Sequence, residues 1–81
     1  MRSTKSIYNH LVNLSVDIRD LMDECDEKME ALEDRAAEHD RDMTEKEQEK
    51  YDSLDSKRDF LEEALNSLDE AIENIEEAME G

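Results

Sequence analysis

Apolar residues return in alternating steps of three and four along the second half of the chain. Tyr51, Leu54, Leu61, Leu65, Leu68, Ile72, Ile75 and Met79 form the series, and only Arg58 interrupts it. That spacing keeps the series on one side of a helix, as the a and d positions of a heptad repeat. Ala64, Ala71 and Ala78 recur beside this seam, where small side chains let another helix come close. Asp55, Glu62, Asp69 and Glu76 line the other side. The first half carries a matching series: Ile7, Leu11, Leu14, Ile18, Leu21, Cys25, Met29, Leu32, Ala36, His39 and Met43. Two steps of four adjoin at Cys25, a stutter that predicts slight local unwinding. Ser3, Thr4 and Ser6 are candidate N-caps for this first helix.

A stripe of this kind must be buried on a partner. Thr44 followed by Glu47 reads as a capping box, the mark of a fresh helix start. Glu45 and Glu47 suit the positive end of its dipole. A single uninterrupted helix is the rival arrangement, since no proline occurs and the one glycine is Gly81. Register separates the two. Folding the chain about Met43 pairs Ile7 with Met79, Leu14 with Ile72, Cys25 with Leu61 and Leu32 with Leu54. The expected fold is therefore all-α, an antiparallel two-helix coiled-coil hairpin. It makes one domain over residues 1–81, with helices near 4–40 and 44–80 and a turn at about 41–43. Each arm would be about 54 Å long at 1.5 Å per residue. Pairing also sets Arg2 and Lys5 beside Glu73, Glu76, Glu77 and Glu80, which otherwise crowd the negative end of a helix dipole.

Charge changes the picture next. Of 81 residues, 44% are charged and the formal net charge is −16. Disorder would follow from such a composition without the heptads, which disordered acidic tracts lack. The first 22 residues are nearly neutral, at +1, while the remainder holds 24 acids and seven bases. No apolar run approaches the roughly 18 residues of a membrane span, and no signal peptide is visible. A lone cysteine, Cys25, points to a reducing, cytoplasmic setting. So acidic a surface is repelled by nucleic acid and anionic lipid, and the expected partner is a basic protein surface. Crowded carboxylates further predict stability that falls as pH rises through the carboxylate range and recovers with salt.

Little in the sequence supports catalysis. A hairpin offers no concave site, and no glycine-rich loop or nucleophile–base pair occurs. Asp23, Glu24, Asp26 and Glu27 surround Cys25, but neighbouring helix positions point in different directions. Solvated charge explains them better than a metal site, and neither metal nor cofactor is expected. His10 and His39 would lie too far apart to share a ligand. Cys25 reads as a small buried residue. Arg58 reads as a long side chain packing its stem while its head reaches Asp26 or Glu30, with a register-setting role as the sharper alternative. Phe60 is either a lone surface aromatic or an anchor for a partner. Tyr8, Val12, Val16 and Met22 add apolar surface beyond the seam, and two such patches meeting by two-fold symmetry would make a dimeric four-helix bundle.

The stretch Met43-Thr44-Glu45-Lys46-Glu47-Gln48-Glu49-Lys50-Tyr51-Asp52-Ser53-Leu54 resembles the helical segment before the capsid fold of HK97-type phage major capsid proteins. Such segments carry a Leu-Thr-x-Glu-Glu start, then an aromatic, an Asp and a Leu. The resemblance covers residues 43–68 and implies a phage or mobile-element setting, hence a bacterial host cytoplasm. The turn half carries one net charge per roughly 3 Å, against about 1.7 Å in duplex DNA. The expected function is a non-catalytic, DNA-mimicking inhibitor that occupies a basic, nucleic-acid-binding surface. Its contact residues would be Glu30, Glu33, Asp34, Glu38, Asp52, Asp55, Asp59 and Glu62, with Phe60 as anchor. The alternative is a structural or assembly coiled coil associated with a scaffold or capsid.

Overall fold

The computed structural model describes residues 3–80, so Arg2, one of the cations expected beside the acidic end, lies outside the described residues. Two helices, α1 (Thr4–Glu38) and α2 (Glu45–Glu80), pack side by side in a rod of 59 × 19 × 15 Å. That length is one helix long, so the hairpin is the observed arrangement. Cross-helix pairs give the register directly. Tyr8 meets Glu76, Asp26 meets Arg58, and Arg19 meets Asp69. Their residue numbers add to 84 or 88, around the 86 expected from the seams.

Ser3 is the cap that serves α1. Its backbone is extended and its hydroxyl accepts from the Ser6 amide at 3.1 Å. The helix stops at Glu38, two residues short of the expected end. His39 caps it, Asp40 takes a left-handed φ of 49°, and the Arg41 and Asp40 amides donate to Ala36 and Ala37 carbonyls at 3.1 Å. This is a Schellman stop, which satisfies the last carbonyls and favours glycine at its left-handed position. Asp40→Gly is therefore expected to raise stability by about 0.5 kcal/mol, the relief of the Cβ clash less the extra freedom of glycine when unfolded. A thermal scan showing a lower midpoint for the variant would contradict this.

The capping box at α2 forms as expected. The Glu47 amide donates to the Thr44 hydroxyl at 3.2 Å, and the Thr44 amide donates to Glu47 Oε1 at 2.9 Å. Arg41 adds a third contact, donating to the same oxygen at 2.8 Å. Glu47 is thereby buried at the turn end, four residues before Tyr51 in the three-and-four progression. The α2 seam is covered from Tyr51 through Ile75, while Met79 is 45% exposed.

The α1 seam differs from expectation by one position. It runs Tyr8, Leu11, Ser15, Ile18, Met22, Cys25, Met29, Leu32 and Ala36, all buried or half-buried. This series alternates three and four without a break, so the expected stutter at Cys25 is absent. His39 is exposed, and Met43 is half-buried. Leu14 and Leu21 are instead 42% and 39% exposed. The reason is phase. α2 has a constant seven-residue repeat, and a stutter-free α1 stays in step with it along the whole rod. Ser15 tolerates its buried position because its hydroxyl donates to the Val12 carbonyl at 2.7 Å. Consequently Tyr8, Val12, Val16 and Met22 do not form an exposed patch. Tyr8, Val12 and Met22 are half-buried, and Val16 alone of the four is exposed.

Candidate functional site

With the seams fixed, every other residue has a place around the rod. Writing the α1 seam as a (Tyr8, Ser15, Met22, Met29, Ala36) and d, and the α2 seam likewise from Tyr51, the e rows of the two helices face each other along one flank. Arg19 and Asp69 are both e residues, and their charges meet at 3.8 Å. Tyr8 reaches the e residue Glu76, and Arg58 reaches the e residue Asp26 at 2.6 Å and Glu62 at 3.6 Å. The g rows must then share the opposite flank.

The e flank is acidic around the turn half. Asp26 and Glu33 of α1 and Asp55 and Glu62 of α2 line it, with the b residues Glu30, Asp52 and Asp59 just outside. All seven are exposed. The field acts on its neighbours. The nearby Glu33 carboxylate, helped by the charges of Asp55 and Asp52, pushes the Tyr51 hydroxyl above its usual range. Glu76 does the same to Tyr8, and Asp26 raises Arg58 further above an already high value. Arg58 is thus a seam residue whose head reaches Asp26, not Glu30.

The structure therefore divides the expected contact residues. Glu30, Glu33, Asp52, Asp55, Asp59 and Glu62 form one continuous surface. Asp34, in the f row, points away from both flanks. Glu38 and Phe60, in the c rows, fall on the other side. Phe60 is 72% exposed there, so it is not an anchor within the acidic surface.

The opposite flank was not anticipated. None of the ten g and c positions of α2 is acidic. They read Lys46, Lys50, Ser53, Lys57 and Phe60 toward the turn, then Ala64, Ser67, Ala71, Asn74 and Ala78. The g row of α1 is also free of acids, reading Ile7, Leu14, Leu21, Lys28 and Arg35, while its c row sets Asp17, Glu24 and Glu38 at the outer edge of this flank. Lys28, Arg35 and Lys50 line a groove of about 490 Å³ with Ala31, Leu32, Ser53 and Leu54. Among the described residues, the ion pairs use Arg19, Arg41 and Arg58, and these groove cations and Lys57 take part in none. The signal was present in the sequence, because the lysines sit seven apart at 50 and 57 and in step with three alanines.

Cys25 is 3% exposed, whereas Asp23, Glu24, Asp26 and Glu27 around it are exposed. Among the described residues, no three metal-ligating groups converge, and no helix is long and apolar enough to cross a membrane. No family model, curated protein or solved structure matches the chain.

Proposed function

We propose that this chain is a non-catalytic interaction module whose acidic flank docks on a basic surface of another protein, of the kind that holds nucleic acid. Occupying that surface would inhibit its owner. The observation that carries this reading is the continuous run of seven exposed acids along one flank in the turn half. Seven acids against Arg58 leave six net charges over about 15 Å of rod, or one per about 2.5 Å, near the 1.7 Å of duplex DNA. Long-range steering by such a field gives fast, salt-sensitive association.

Capture from a bacterial lysate on the immobilised chain, at about 0.1 M and about 1 M salt, tests the reading through the change in screening. Nucleic-acid-binding proteins should be retained at low salt and released by duplex DNA. A variant carrying Glu30→Gln, Asp52→Asn and Asp59→Asn should bind roughly tenfold more weakly, taking each exposed charge at a few tenths of a kcal/mol. Equal retention by this variant, or retention indifferent to DNA, would overturn the proposal.

A further inference from the structure

The two flanks of the rod carry opposite character at the same height. On α1, Lys28 in the g row stands two residues from Asp26 and two from Glu30. The lysine faces one flank and both acids face the other. On α2, Lys57 stands in the same relation to Asp55 and Asp59. In the other half of the rod, Leu14 lies level with Val12 and Val16 across the helix. Leu14 and Val16 are 42% and 47% exposed. A second copy displaced sideways without rotation would therefore bring lysine onto acid and leucine onto valine.

We infer that the cationic flank, where Lys28, Arg35, Lys46, Lys50 and Lys57 outnumber Asp17, Glu24 and Glu38, is a docking surface for the acidic flank of a second copy, giving side-by-side association of parallel rods. This rests on the reading of the acidic flank as a docking surface, and adds that the chain carries the matching surface itself. Charge selects the arrangement. A two-fold axis running along the rod would set Lys28, Arg35, Lys50 and Lys57 against the same four residues of the other copy. Sideways displacement instead places each of these cations beside carboxylates. The contact is heterologous, so each added copy presents a fresh flank and the assembly does not close. Net charge of −16 per copy opposes association at long range. At about 0.1 M salt the screening length is about 10 Å, which suppresses that repulsion while leaving contacting pairs in force.

Complementary variants test this. One carries Lys28→Glu and Lys57→Glu, which reverses the cationic flank. The other carries Glu30→Lys and Asp59→Lys, which reverses the acidic flank. All four positions are exposed, so the hairpin persists, with circular dichroism as the check. In sedimentation velocity at about 0.1 M salt, the wild-type mass should rise with concentration beyond a dimer, and fall to monomer at about 1 M. Each variant alone should be monomeric. Their equimolar mixture should regain the concentration-dependent growth of the wild type, since the two unaltered flanks still match and the two reversed flanks meet as acid on lysine. A wild-type chain that stays monomeric, or a closed dimer that survives in both variants, would overturn the inference. The Lys28→Glu, Lys57→Glu variant keeps its acidic flank, so it should still capture a foreign basic partner. Loss of that capture would count against the acidic-flank reading instead.

Discussion

Ser15→Asp is expected to abolish the folded hairpin, whereas Leu14→Asp leaves it folded. Sequence hydrophobicity alone would rank these two the other way. Ser15 is 4% exposed on the seam, and its neutral hydroxyl is satisfied by the Val12 carbonyl. A carboxylate there would lose much of its water, a penalty of several kcal/mol. A core this small supplies only about 3–5 kcal/mol in total. Leu14, 42% exposed, gives up only part of the roughly 2 kcal/mol that full burial of a leucine contributes, so about 1 kcal/mol or less is lost. Far-ultraviolet circular dichroism through a thermal scan distinguishes the two. A folded Ser15→Asp chain beside an unfolded Leu14→Asp chain would restore the seam through Leu14 and Leu21.

The second large effect lies at the turn. Contacts to Glu47 hold its carboxyl down at about 2, against an ordinary value of 4.5. The Arg41 hydrogen bond is the leading cause, followed by the Thr44 amide, and together they outweigh the burial that opposes them. One oxygen, Oε2, has no hydrogen-bond partner among the described residues, so the effect runs through Oε1. Because the folded state holds this proton more weakly, the carboxylate contributes its full stabilisation above about pH 4.5. That contribution is lost as pH falls from there toward 2. Glu47→Gln keeps an acceptor for the Thr44 amide and removes the charge. Wild type should therefore melt several degrees above the variant at neutral pH, with the gap closing between pH 4.5 and 2. Repulsion among the other carboxylates acts on both proteins and cancels in the difference. A gap that is constant with pH would show that the charge of Glu47 does not hold the turn.

Much of this fold was legible before folding. The α2 seam, the Thr44–Glu47 box and the antiparallel register all rest on local chemistry or on spacing within one segment. The α1 seam was misplaced because leucine outweighs serine when one helix is judged alone. Its phase becomes visible only beside α2, whose unbroken repeat excludes the stutter that Leu14 and Leu21 would require. Burial of Glu47 was hidden for a similar reason. A glutamate reads as a cap residue, although its distance from Tyr51 continues the seam. The cationic flank was missed because charge was counted along the chain. Segment totals conceal a partition that runs around the helix, where Lys50 and Lys57 share a side with Ala64 and Ala71.

Burial is unevenly distributed along the rod. Among the described residues, Cys25, Met29, Ala36 and Glu47 are buried toward the turn, and Ser15 alone is buried in the other half. Among the described residues, no large side chain is sealed from solvent at any height. A molecule built this way has no single interior to lose at once. Closing the short loop between Glu38 and Glu45 requires little entropy, and each later contact closes only a small increment beyond the last. Folding is therefore expected to start at the turn and advance toward the chain ends, like a zipper. Opening retraces that path, with the adjacent ends parting first while the turn still holds.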